Sequence, residues 1–145
     1  MTLADSLDFH HIGVACESLA AEMTIWTALG YRLEGGPFID PEQGIRGQFV
    51  VGNGLRVELL EPVGHSSTLG PWLKRRIRFY HLGYLTGSFD AAMEELIGTG
   101  ATVARSPMMS THFKTRIAFL MLPNLAMVEL IDSGQEPVTP ASEAV

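Results

Sequence analysis

The chain has one cysteine, Cys16, in 145 residues, so no internal disulfide framework can staple it, and a reducing compartment is expected. Long apolar runs are missing too; nothing approaches the roughly 18 consecutive apolar residues of a membrane span. The opening Met1-Thr2-Leu3-Ala4-Asp5 has neither a basic nor an apolar leader region, and no signal peptide is expected. Positive charge is scarce. Ten Lys and Arg stand against sixteen Asp and Glu, and a net charge of −6 argues against the phosphate neutralisation that nucleic-acid binding needs. These absences point to a cytoplasmic protein with no nucleic-acid and no membrane partner.

The chain is 46% hydrophobic, enough for one compact domain with a full core. Four of its ten basic residues, Lys74, Arg75, Arg76 and Arg78, crowd into five positions. They suit either a solvated stretch beside a helix or a local anchor for an anionic substrate such as a nucleotide-bearing thioester.

The dominant feature is an internal repeat. Phe9-His10-His11-Ile12-Gly13-Val14 returns as Phe79-Tyr80-His81-Leu82-Gly83-Tyr84, 70 residues on. The same offset matches Leu19 with Phe89, Met23 with Met93, Gly30 with Gly100, Pro37 with Pro107, Arg46 with Arg116 and Phe49 with Phe119. Val57-Glu58-Leu59 matches Val128-Glu129-Leu130 at an offset of 71. Apolar alternation predicts a strand over 8–16, and Ser18 caps a helix running to about Leu29 that Gly30 ends. A short strand follows at Tyr31–Glu34, interrupted by Gly35-Gly36-Pro37. Strands Ile45–Val51 and Leu55–Leu60 are joined by Gly52-Asn53-Gly54, a hairpin signal. The second half restarts with a strand at Phe79–Leu85, a helix from Ser88 to about Ile97, a strand at Ala101–Ala104 and a hairpin around Pro123-Asn124.

The expected fold is therefore α+β: two tandem βαβββ modules, 8–62 and 79–132, in one domain spanning 1–145. A loose lead-in precedes them. A linker, 63–78, carries a short helix around Leu69–Arg75, and a flexible tail occupies 133–145.

Strand alternation then selects residues. Val57 and Leu59 turn to the module's own helix, which leaves Glu58 on the opposite, concave face. Glu129 is left likewise between Val128 and Leu130. His11, Gly13 and Ala15 share a face, as do His81, Gly83 and Leu85, and the glycines leave room above the sheet for something other than a side chain. His10 falls on the helix-packing face and reads as structural. His65 and His112 have no counterpart in the repeat and read as loop residues. A pseudo-twofold would gather His11, Glu58, His81 and Glu129, a donor set for one divalent ion of Mn, Fe, Co, Ni or Zn. Four protein ligands on an octahedral ion leave two positions for water or a chelating substrate.

Paired βαβββ modules with H-x-G on the first strand and V-E-L on the last resemble the vicinal oxygen chelate superfamily, over about residues 8–132. That superfamily includes glyoxalase I, extradiol dioxygenases, bleomycin-resistance proteins and methylmalonyl-CoA epimerases. Within it, Asp8–Ala15, Pro41-Glu42-Gln43-Gly44-Ile45, Val57–Gly64 and Arg116–Leu120 resemble motifs of the epimerases. The resemblance implies a curved mixed-sheet cup, with His11, His81 and Glu129 as metal ligands and Glu58 at a position that is a fourth ligand in some members, often as Gln. It also implies Glu42 as the acid–base carboxylate; in the mechanism expected here, Glu129 released from the metal, or a metal-bound water, serves the other face. The epimerases' Gly-rich stretches are replaced here by Lys74–His81 and by Met108–Thr115. The expected activity is proton transfer next to a carbonyl or thioester, on a small-molecule substrate such as an acyl-CoA, in a homodimer. The alternatives are a glyoxalase-like lyase or isomerase with Glu58 or Glu129 as base, and a non-catalytic protein that sequesters a drug.

Overall fold

A computed structural model of the protein describes residues 2–134. A four-residue helix, α1 (Leu3–Ser6), opens the chain where a loose lead-in is expected from the sequence. It is held by Asp5, whose Oδ2 accepts from the Thr2 N–H at 2.9 Å and from its hydroxyl at 2.8 Å, while the Asp5 N–H donates to the Thr2 carbonyl at 3.1 Å. The first module follows as β1 (Leu7–Ala15), α2 (Leu19–Ala28), β2 (Arg32–Asp40), β3 (Ile45–Gly52) and β4 (Leu55–Pro62). A connector carries α3 (Gly70–Lys74). The second module is β5 (Phe79–Thr86), α4 (Phe89–Gly98), β6 (Thr102–Met109), β7 (Arg116–Met121) and β8 (Met127–Asp132). The first residue of the expected tail, Ser133, donates its N–H to the Thr86 carbonyl at 2.9 Å. Gly134 follows, its N–H donating to Asp132 Oδ1 at 3.0 Å, and the remainder of that tail, 135–145, lies outside the described residues.

All eight strands form one mixed sheet in the order β2-β3-β4-β1-β5-β8-β7-β6. Each module pairs its first strand with its last in parallel, β1 with β4 and β5 with β8. The modules join where β1 meets β5 antiparallel. In that ladder His11 faces Gly83, Ile12 faces Leu82 and Gly13 faces His81, so the pseudo-twofold runs through the Ile12–Leu82 pair.

Local signals explain the elements. Ser18 Oγ accepts the Ala21 N–H at 3.2 Å and starts α2, while Glu61 Oε1 takes the Leu19 N–H at 2.7 Å from the end of β4. Asn53 and Gly54 both have positive φ, 51° and 79°, the two-residue turn whose twist matches its flanking strands. Two cores sit under α2 and α4. Val57 and Leu59 pack with Leu19, and Val128 and Leu130 pack with Phe89, as alternation predicts. A third core lies on the concave side, where Leu60, Tyr80, Ile117 and Phe119 meet Leu69 and Trp72 of the connector.

Two expectations are corrected. The Gly35-Gly36-Pro37 stretch does not end a short strand. β2 continues to Asp40 through a register shift between Glu34 and Phe38, and β6 likewise runs on through Pro107. Both strands are sheet edges, where a missing N–H leaves no ladder bond unmade. The second correction concerns β1 and β5 at the centre. The ladder skips His10 in β1 and Tyr80 in β5, positions 70 residues apart. Each is a bulge, and a bulge breaks strict alternation. His10 therefore turns to the concave side, where its ring packs at 5.8 Å from Phe49 and 5.5 Å from Phe113, and not to the helix side. Among the described residues no helix is long and apolar enough to cross a membrane.

Candidate metal centre

The pseudo-twofold brings His11, Glu58, His81 and Glu129 together inside one chain. One ligand atom from each lies within 4.8 Å of the others, and all four side chains are buried. His11 Nε2 is 2.9 Å from His81 Nε2, 3.1 Å from Glu58 Oε1 and 3.2 Å from Glu129 Oε1. His81 Nε2 is 3.3 Å from Glu58 Oε1 and 3.2 Å from Glu129 Oε1. Adjacent octahedral ligands on a cation with bonds of about 2.0–2.2 Å stand about 2.8–3.1 Å apart. The donor set therefore fits a divalent ion in chemistry and in spacing. Glu129 Oε1, though close to both imidazoles, meets the geometry of a hydrogen bond with neither, and it is buried. A converging, unsatisfied carboxylate oxygen is what a cation would complete.

The glycines of the repeat make this approach possible. A Cβ on Gly13 would collide with the ring of His81, and one on Gly83 would collide with the ring of His11. The room that the sequence reserves for something other than a side chain is filled by the opposite module's imidazole, which corrects that expectation. The lengthwise symmetry extends outward. His11 packs edge-on to Phe49 at 5.3 Å and His81 edge-on to Phe119 at 5.3 Å.

The quartet polarises its own members. Burial opposes charge on His11, but the Glu58 and Glu129 carboxylates outweigh it and raise the imidazole to about 9. His81 moves up as well, against burial, through its contacts with Glu129 and Glu58. Burial would raise Glu58 and Glu129, yet the two imidazoles hold both below the usual carboxylate range. Four titratable side chains in mutual contact and shielded from water are a candidate functional site.

Residues 10–119 match the profile of the Glyoxalase/Bleomycin resistance protein/Dioxygenase superfamily. The chain belongs to this superfamily. Solved structures agree on the superfamily's fold. A hypothetical protein from Bacillus halodurans C-125 is 22% identical with a TM-score of 0.77, covering 91% of this chain and 98% of its own. Methylmalonyl-CoA epimerase from Mycobacterium tuberculosis is 23% identical, with a TM-score of 0.72 over 94% of this chain and 91% of its own. Streptomyces coelicolor methylmalonyl-CoA epimerase, in complex with 2-nitronate-propionyl-CoA, is 27% identical, with a TM-score of 0.72 over 88% and 97%. No curated protein matches the chain in sequence.

Other residues singled out from the sequence fall elsewhere. Glu42 is exposed on the turn after β2. Its backbone is fixed, since buried Asp40 Oδ1 accepts the N–H groups of Glu42 and Gln43 at 3.1 and 3.2 Å, but its carboxylate does not join the quartet. The turn is tied to the second module, where Arg105 donates to the Glu42 carbonyl at 3.4 Å and the Thr111 hydroxyl to that of Ile39 at 3.1 Å. Lys74, Arg75, Arg76 and Arg78 are exposed on the connector, and His65 is exposed nearby.

Three residues around the site have no signal in the sequence. His112 lies in a turn, as expected, but its ring sits tilted against Phe38 at 4.3 Å and stacked on Phe49 at 4.9 Å, and burial pulls its pKa down. Phe113 lies nearly parallel to the His11 ring at 6.1 Å. His10 reaches His11, Nδ1 to Nδ1, at 2.8 Å. Together they close the first module's half of the cup, while Trp72, 5.1 Å from Tyr80, covers the second.

Proposed function

We propose that this chain is a divalent-metal-dependent enzyme that moves a proton at a carbon next to a carbonyl or thioester, in the manner of a methylmalonyl-CoA epimerase. The buried His11–Glu58–His81–Glu129 quartet is the observation that carries the reading. A protein that merely sequesters a drug does not need such a quartet, and its presence counts against that alternative. The 27% identity to an epimerase bound to an acyl-CoA analogue supports an acyl-CoA substrate. His11, Glu58, His81 and Glu129 would hold a divalent ion, which would supply Lewis acidity at a substrate oxygen.

The chain's own residues supply the rest. The aromatic wall of Phe38, Phe49, Phe113 and Phe119 keeps water from the quartet and strengthens its electrostatics. Glu42, on its fixed turn, takes or returns the α-proton, a role that contributes typically 10²–10⁴-fold. Glu129 serves the opposite face. A cavity of about 350 Å³ lined by Trp72, Ile77, Tyr80, His81, Leu125 and Met127 gives the acyl portion an apolar berth beside His81. The basic stretch at 74–78 then holds phosphates at the surface. A cytoplasmic homodimer is part of the same proposal.

The exposure of Glu42 favours a second reading, in which the base is Glu58 or Glu129 and the reaction is a glyoxalase-like isomerisation or lyase step. Solvent deuterium exchange into a panel of acyl-CoAs decides between them. The epimerase reading predicts metal-dependent exchange that Glu42→Gln lowers at least 100-fold. Exchange that survives Glu42→Gln but not Glu129→Gln selects the second reading, and no exchange into any thioester removes the first.

A further inference from the structure

The two imidazoles of the quartet are supported unequally. His11 Nδ1 has a partner, His10 Nδ1 at 2.8 Å, whereas His81 Nδ1 is buried with none among the described residues. The difference arises at equivalent positions. His10 and Tyr80 are the two bulged residues of the central strands, each turned to the concave side and edge-on to the imidazole that follows it, at 5.0 and 4.8 Å. The repeat thus builds one bulge twice and places a hydrogen-bonding ring nitrogen in only one copy.

Resting on the metal reading above, we propose that His10 is a positioning residue that fixes the tautomer and orientation of His11 and makes it the stronger of the two imidazole donors. A neutral imidazole that gives its Nε2 lone pair to a cation carries its proton on Nδ1. The partner available to that proton on His11 is the Nδ1 lone pair of His10, so His10 holds its own proton on Nε2. His10 is itself well fixed. Its carbonyl accepts from Arg56 Nη1 at 3.1 Å, and Arg56 is clamped by Glu34 at 2.8 and 3.2 Å. Phe49 and Phe113 bound its ring. Partners of this kind raise the basicity of a ligating imidazole, and losing one typically costs 10–100-fold in metal affinity.

The test is the affinity of the full chain for Zn or Co, measured by competition with a chromophoric chelator. His10→Phe keeps the ring packing, removes the acceptor and weakens binding by about 10–100-fold. His10→Asn, whose Oδ1 can accept, binds within about threefold of the parent, as does Tyr80→Phe at the equivalent bulge, by the same measure. His10→Phe binding as tightly as the parent, or Asn no better than Phe, overturns the inference. Loss of affinity in Tyr80→Phe to the same extent also overturns it, because packing and not the hydrogen bond is then at work. Ring-nitrogen NMR of the unmodified, metal-loaded protein needs no variant. The Nε2–H tautomer of His10 supports the assignment and the Nδ1–H tautomer contradicts it. A parent chain that binds neither ion fails the metal reading itself, a result separate from all of these.

Discussion

Gly13 of one module lies directly beneath the imidazole of His81 from the other, with no room for a methyl group between them. The reciprocal pair, Gly83 and His11, repeats the contact across the pseudo-twofold. Each half thus leaves out a side chain so that the other half's donor can reach the quartet. Gly13→Ala pushes the His81 ring out of line. It costs about 1–3 kcal/mol by overpacking and loses bound metal. Thermal melting and metal analysis of the purified variant check this, and retained stoichiometric metal contradicts it.

The quartet without metal holds protons. The folded His11 imidazole, raised to about 9, is protonated at pH 7. Metal must displace that proton and any held on His81, so binding at pH 7 releases at least one proton per ion, and affinity climbs as pH rises toward 9. Calorimetry in two buffers of different ionisation enthalpy reads the release directly. The sign for stability follows. A group whose folded pKa lies above its unfolded value of about 6.5 gives stabilisation that is full below pH 6.5 and lost as pH rises through about 9. Metal-free protein therefore loses stability over that window and metal-loaded protein does not.

Cys16 is 1% exposed, and burial, with the Glu22 and Glu61 charges, pushes its thiol up to about 12. The thiolate is the reactive form. Folded protein at pH 8 does not react with iodoacetamide on the timescale that alkylates denatured chain completely. Mass spectrometry counts the adducts, and one adduct per folded chain contradicts the prediction.

The exposed Lys74, Arg76 and Arg78 line a polar cleft with Glu17 and Leu73, while Ile77 and Phe79 of the same stretch line the apolar cavity that His81 also lines. If the substrate is a CoA thioester, Arg76→Ala with Lys74→Ala raises KM about 3–10-fold, leaves kcat unchanged and weakens the salt dependence of kcat/KM. A truncated thioester lacking the nucleotide shows no such change. Equal effects on both substrates would falsify a phosphate anchor.

Much of this molecule is legible in the 70-residue repeat. Period-two alternation places Glu58 and Glu129 opposite the helix-facing Val and Leu residues, and the structure packs them that way. Alternation fails where a bulge adds a residue, and so His10 is misassigned. Nothing in Phe9-His10-His11 distinguishes a bulged strand from a regular one. Pro37 and Pro107 read as strand ends because sequence does not reveal which strands are edges. His112 and Phe113 are invisible for another reason: a turn between β6 and β7 carries them across to the first module, a contact over 60 residues away in sequence that no local pattern encodes.

The central claim is that the quartet holds one divalent ion, and metal analysis tests it most directly. Protein purified without chelator and supplied in turn with Mn, Co, Ni and Zn should carry one ion per chain and melt at higher temperature with at least one of them. His81→Ala and Glu129→Ala should lose both the ion and the gain. Protein with no stoichiometric ion and no rise in melting temperature with any of the four contradicts the account.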